Sequence, residues 1–195
     1  MKHDWIPRLG TDAMPDALAA YLGPRVRRLG YLGEMFQVGA QAPDVLLHFM
    51  HFTDALKDAV PFDISEAVVL TVATLMENRY ERNQHERLSM RHGLGRDWLA
   101  EVRRLSPDSA HLMTPAQQAA QRYAIAAIRT RGRGAGAEFD ALDPHFAPGE
   151  AMAIAFLVGR YVTHALIVNT LELDPPVPSV FEDGFDPAAS PGASQ

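Results

Sequence analysis

Apolar residues recur at three- and four-residue steps along most of the chain, the spacing of one face of an α-helix. Leu18, Tyr21, Leu22, Val26 and Leu29 mark a first helix over 14–29, which Gly23-Pro24 is expected to break in two. Residues 30–43 carry Gly30, Gly33, Gly39 and Pro43 and predict a short helix between loops. Val45, Leu46, Phe49, Met50, Phe52 and Leu56 give a broad apolar stripe over 44–60, ended by Pro61, which lacks the helical N–H.

Asp63-Ile64-Ser65-Glu66 reads as a capping box opening the next helix. Val68, Val69, Leu70, Val72, Ala73 and Leu75 then make that helix apolar almost all round, and therefore central. A polar helix is predicted over 78–92, stopped at Gly93-Leu94-Gly95, and an amphipathic one over 97–105. Thr114-Pro115 supplies a cap and a first-turn proline for a helix ending near Gly132. A short helix over 137–142 precedes the long apolar one that opens at Pro148-Gly149-Glu150 and ends near Leu173. No strand pattern and no internal repeat is present, so the fold class is all-α in one domain.

Three regions organise the chain: a helical extension over 1–43, a helical core over 44–173 and a Pro-rich tail over 174–195. The tail is expected to be extended and to pack on the body through Val180, Phe181 and Phe185. The apolar run from Ala151 to Leu171 has the length of a membrane span, but Arg160 near its middle would cost ~2.5–3.5 kcal/mol or more in lipid. A buried or interface helix, and no membrane, is the expectation.

Composition narrows the classes further. Of 195 residues, 47% are hydrophobic and 22% charged, which is ordinary for a globular protein. Lys and Arg number 18 against 24 Asp and Glu, and a net charge of −6 argues against a nucleic-acid partner. Cysteine is absent, which removes disulfides, thiolate metal sites and thiol nucleophiles together. The start of the chain holds no apolar run of signal-peptide length, so a cytoplasmic location is expected. Gly132-Arg133-Gly134-Ala135-Gly136 has no preceding strand and reads as a plain loop rather than a phosphate cradle.

The chemistry-bearing stretch is 66–95. Asn78, Glu81 and His85 fall on one face of the polar helix, with Glu81 and His85 one turn apart. A carboxylate beside an imidazole orients it and raises its basicity, giving an acid or base that works near neutral pH. Glu66, at the start of the preceding helix, can add a second carboxylate if the turn between the helices brings it near. The competing reading is a solvated surface pair in a helix crowded with Arg79, Arg82, Glu86, Arg87 and Arg91. Burial of Glu66 and Glu81 decides between the two.

A Glu opening an apolar helix, Tyr80-Glu81, then His85 nineteen residues after Glu66, and Gly93 beyond, resembles the carboxymuconolactone decarboxylase family. That family includes the AhpD-like alkylhydroperoxidases, and the resemblance covers 44–104 best and 14–173 more loosely. In its peroxidase members the pattern is Glu, a Cys-x-x-Cys pair, then His. On this chain those positions are Glu66, Asn78, Glu81 and His85. With no cysteine, dithiol peroxidase chemistry is excluded, because reduction through a sulfenic acid needs a thiolate. Tyr80-Glu81 followed by His85 looks like the cysteine-free members, in which Tyr-Glu-Trp-x-x-His is common; Arg82 replaces the Trp here.

The resemblance implies an AhpD-like helical bundle that forms a homo-oligomer, a trimer or hexamer. It also implies lyase-like acid/base chemistry, decarboxylation or lactone and carbonyl chemistry, on a small organic acid. His85 would donate or accept the proton, Glu81 orient it and Glu66 act as relay or second acid, with Tyr80 and Asn78 binding substrate. The alternative is a non-catalytic binding or assembly protein that kept the fold after losing its thiols. No cofactor and no metal is called for. His48 and His51 could face the same pocket and supply metal ligands, but a helix flank, partly solvated, is the simpler expectation for both. His164 reads as a satisfied core or interface histidine. Arg160 reads as a structural ion pair or as an anchor for a substrate carboxylate.

Overall fold

A computed structural model describes residue 3 and residues 5–182. Among them nine α-helices and no strand form an all-α, single-domain bundle. The helices are α1 (Asp16–Leu29), α2 (Glu34–Gly39), α3 (Pro43–Ala59), α4 (Phe62–Leu75), α5 (Arg79–Arg91), α6 (Arg96–Arg104), α7 (Pro115–Thr130), α8 (Gly136–Asp140) and α9 (Pro148–Thr170).

Helix α4 is the axis of the molecule. Ten consecutive residues, Ile64 to Ala73, are buried, and α5, α6, α7 and α9 pack around them. Val68, Val69, Leu70 and Val72 are wholly buried, at roughly 1.5–3 kcal/mol of transfer free energy each. A helix apolar on nearly every side can be enclosed in this way, its few buried polar groups finding partners.

Two local expectations are corrected. Helix α1 runs unbroken through Pro24. Pro24 and Ala20, whose carbonyl loses its helical partner, both lie on the exposed face, where water can take over that bond. Leu18 and Leu22, on the other face, are buried among Met14, Leu46 and Met50 and offset the cost. The predicted capping box at Asp63 does not form: Pro61 precedes the helix, Asp63 accepts a hydrogen bond from Gln117 Nε2 at 2.7 Å, and Glu66 turns inward. By contrast, Thr114 and Gln117 do form a capping box at the start of α7, and Gly93 takes the left-handed stop with φ +84°.

Helix α5 has no apolar stripe, yet Tyr80, Glu81, Asn83, His85, Glu86 and Ser89 are buried. Polar partners replace the missing hydrophobic ones. On one face Glu86, fully buried, ion-pairs with Arg103 at 3.2 Å and accepts hydrogen bonds from Ser179 Oγ and the Val180 N–H. Glu86 is therefore not part of a solvated face. The tail is held there as well by Asn83 Nδ2 donating to the Val177 carbonyl at 3.0 Å. Val180 is buried and Phe181 lies under Arg103 at 4.5 Å, as the sequence predicts; Phe185 lies outside the described residues.

The turn joining α4 to α5 sets their register. Asn78 N–H reaches back to the Ala73 carbonyl at 2.8 Å, and Glu77 takes the left-handed conformation at φ +54°. Helix α9 is long and apolar enough to cross a membrane, but 56% of its apolar window is buried within the fold.

Candidate acid/base site

The antiparallel α4–α5 pair brings Glu66 and His85 into direct contact. His85 Nδ1 lies 2.9 and 3.0 Å from the two Glu66 oxygens, so Nδ1 carries a proton and donates it there. Ser89 Oγ donates to Glu66 Oε2 at 2.9 Å, which fixes the carboxylate from the next turn of α5. On the far side of the ring, His85 Nε2 is 3.2 Å from Glu81 Oε2 and 3.2 Å from the Tyr161 hydroxyl. Both nitrogens of one imidazole are thus engaged by carboxylates from two helices.

Helix α9 closes the site. His164 Nε2 is 2.9 Å from Glu81 Oε1, and Arg160 Nη1 is 3.9 Å from the same oxygen. Arg160 donates through Nε to Thr53 Oγ1 at 2.9 Å, and its guanidinium lies over Tyr161 at 4.1 Å and Phe49 at 4.8 Å. Its buried Nη1 has no hydrogen-bond partner. Glu66 is 2% exposed, Glu81 9% and His85 8%, so the surface-pair reading of Glu81 and His85 is set aside.

The other predicted residues fall around this core. Asn78 caps α5, its Oδ1 accepting the Glu81 N–H at 3.1 Å, and its Nδ2 lies 3.4 Å from His164 Nδ1. Tyr80 turns its hydroxyl toward α2, where it accepts the Met35 N–H at 3.2 Å; its ring meets His164 at 5.9 Å. His48 and His51 do not join the site: both stand exposed on α3, and His48 Nδ1 pairs with the Asp44 carbonyl at 2.7 Å. Among the described residues no three His, Asp or Glu side chains are grouped as a metal ion would require. The sequence reading missed Tyr161. Its signal was present, because Tyr161 and His164 lie three apart with Arg160 in an otherwise apolar helix, a polar set that burial has to satisfy.

The electrostatics follow from these contacts. Burial alone would push the His85 pKa down, but the Glu66 carboxylate and the hydrogen bonds to Glu66 and Glu81 overcome it and hold it well above the ordinary range. Burial alone would push Glu81 up, but His164, by charge and hydrogen bond, and His85 hold its carboxyl well below the ordinary range. Burial raises the Tyr161 hydroxyl. At neutral pH the contact at Nε2 is therefore an imidazolium against a carboxylate.

No family model and no curated protein matches the sequence. Solved structures do match the fold. The AhpD core of an uncharacterized peroxidase-related protein from Ralstonia eutropha JMP134 superposes with a TM-score of 0.72 at 21% identity, covering 87% of this chain and 92% of that one. The debrominase Bmp8 superposes with a TM-score of 0.77 at 15% identity over 90% and 94% of the two chains. A protein of unknown function from Agrobacterium tumefaciens gives 0.65 at 17% identity over 72% and 96%. The chain has the AhpD-like fold.

The charged pair makes stability depend on pH from both sides. Glu81 has a depressed folded-state pKa, so its contribution is complete above the unfolded value of ~4.3 and is lost as pH falls through the folded one. His85 has a raised one, so its contribution is complete below ~6.5 and is lost as pH rises through the folded value. The melting-temperature difference between the wild type and a Glu81→Gln/His85→Gln double variant should be most favourable to the wild type between ~4.3 and ~6.5. It should shrink on both sides, as thermal unfolding across pH would show; a difference that ignores pH contradicts the assignment.

Proposed function

We propose that the chain is an acid/base enzyme, lyase-like and cytoplasmic, acting on a small organic acid or lactone by decarboxylation or related carbonyl chemistry. The observation that carries this reading is the nearly buried imidazole of His85 held at Nδ1 by Glu66 and at Nε2 by Glu81. A structural ion pair needs one partner; a proton-transfer group needs an orienting acid on one nitrogen and a second group on the other.

His85, as imidazolium, is the proton donor. In a decarboxylation the bond to the carboxylate breaks, CO₂ leaves, and the electron pair remains as an enolate on the neighbouring carbonyl. The imidazolium and the Arg160 guanidinium stabilise that developing charge in a site nearly free of water. The carbon then takes the Nε2 proton, and the neutral ring can accept the Tyr161 O–H in its place. The proton consumed in each turnover is replaced from water, with Glu81 Oε2, 3.2 Å from Nε2, receiving it and passing it to the ring. Arg160 Nη1, which spends no hydrogen bond within the protein, is the group available to a substrate carboxylate. Thiol chemistry has no part, because the chain contains no cysteine.

A second reading, a non-catalytic binding or assembly protein, is favoured by one observation. Two surface cavities, of about 530 Å³ beside Phe139, Phe146 and Met152 and about 650 Å³ beside Arg129 and Arg133, border neither His85 nor Glu81. About a tenth of the His85 and Glu81 side chains stays exposed, 10% and 11%.

The assembly proposed with this reading is a homo-oligomer, a trimer or hexamer. Met152, Phe156 and Leu166 form an exposed apolar stripe on α9, and Phe52 of α3 meets Phe156 at 6.1 Å; a second copy of the chain would cover it. Light scattering should give a multiple of the chain mass, and a monomer would remove this part of the proposal.

Catalysis is tested by incubating lactones and β-carbonyl acids with the protein in D₂O and following deuterium entry and CO₂ release by NMR. His85→Gln should lower the rate by about 10²-fold or more. Absence of turnover across the panel, or turnover indifferent to His85→Gln, supports the non-catalytic reading.

A further inference from the structure

Glu81 carries the site's second carboxylate, and two residues outside the predicted acid/base set control where it points. Asn78 ends the α4–α5 turn as the cap of α5, and its Oδ1 accepts the Glu81 backbone N–H at 3.1 Å. That bond fixes the amide's orientation, because only the oxygen can accept. The amide nitrogen is then left facing His164 Nδ1 at 3.4 Å, and as a donor it requires Nδ1 to be the bare nitrogen. The ring proton of neutral His164 therefore sits on Nε2, which is 2.9 Å from Glu81 Oε1. The cap, the tautomer and the carboxylate form one chain of donors and acceptors with a single consistent polarity. All three residues are buried: Asn78 at 1% exposure, His164 at 3% and Glu81 at 9%.

From this geometry we infer that Asn78 and His164 are positioning residues that hold Glu81 Oε1, and so turn Oε2 toward His85 Nε2 for proton transfer. The chemical consequence rests on the acid/base reading above; the hydrogen-bond polarity does not. The site is then two carboxylate–imidazole pairs in series. Glu66 orients His85, His164 orients Glu81, and the pairs meet at the 3.2 Å contact between Nε2 and Oε2. Other charged or titratable groups acting on Glu81 are Arg160 of α9, 3.9 Å away, Tyr161 of α9, Tyr80 of α5, Lys57 of α3 and Tyr31 before α2. None of them occupies the 2.9 Å position that His164 holds.

The discriminating variant is Asn78→Asp. Aspartate caps a helix as well as asparagine does, so a purely structural capping role predicts no change at His164. A carboxylate accepts where the amide donated, so a positioning role predicts that His164 gains a proton on Nδ1. Long-range ¹H–¹⁵N spectra of the full chain, labelled at histidine, read this directly. Wild type should show His164 as the Nε2–H tautomer. Asn78→Asp should show His164 protonated at Nδ1.

The proposal is overturned if wild-type His164 is the Nδ1–H tautomer, a result that needs no variant to fold. It is overturned equally if a folded Asn78→Asp leaves His164 unchanged. Its failure is distinct from failure of the acid/base reading, since the tautomer is measured whether or not the protein turns over a substrate. Where turnover is found, His164→Gln should lower kcat with KM little changed, and Gln should retain more of the rate than Leu, because its amide still donates to Glu81. Loss that is equal in the two variants counts against positioning.

Discussion

A carboxylate inside an apolar helix sets the terms for the rest of this molecule. Glu66 lies among residues of α4 that are buried on every side, and an uncompensated charge there would cost several kcal/mol. His85 and Ser89 compensate it from α5, one turn apart, with three contacts of 2.9–3.0 Å. A one-residue slip of α5 along α4 would break all of them. The tight turn through Glu77 and Asn78 and the Glu66–His85 contact therefore specify the same packing of the hairpin, and the polar helix α5 can be enclosed because its buried groups find partners. Removing one member of such a buried pair typically costs about 3–5 kcal/mol, more than most single contacts in the hydrophobic core.

Helix α9 extends this buried polar arrangement to a second carboxylate. Its apolar residues complete the core against α4, while Arg160, Tyr161 and His164 reach Glu81 and His85. Arg160, His164 and His85 surround Glu81, and a carboxylate stands on each side of His85. The two neighbouring groups are thereby held in opposite charge states, an imidazolium on one side of a 3.2 Å contact and a carboxylate on the other. The AhpD-like fold supplies the frame, and in a chain without cysteine these buried polar groups meet at its centre.

Much of this was legible in the sequence because it depends on local pattern. The near-continuous apolar run from Val68 to Leu75 identified the central helix, Gly93 and Thr114-Pro115 marked ends, and Glu81 and His85 were placed on one face by their spacing. The distance between Glu66 and His85 was not legible, because a helical turn of unknown geometry separates them. Nor was the sharing of roles: Glu66, rather than Glu81, holds Nδ1. The contributions of Tyr161 and His164 depend on how α9 lies across the α4–α5 pair, and a histidine in an apolar helix gives no sign of which buried acid it meets. The break expected at Pro24 failed for a similar reason. Propensity describes one helix, whereas the burial of Leu18 and Leu22 belongs to the packing between two.

The coupling across His85 is measured most directly by following its ring through a pH titration by ¹H–¹⁵N NMR in the wild type, Glu66→Gln and Glu81→Gln. The account predicts a wild-type pKa well above the free value of ~6.5, lowered by each substitution, with Nδ1 remaining protonated in the wild type across the titration. A His85 that titrates near ~6.5 and responds to neither substitution would contradict it.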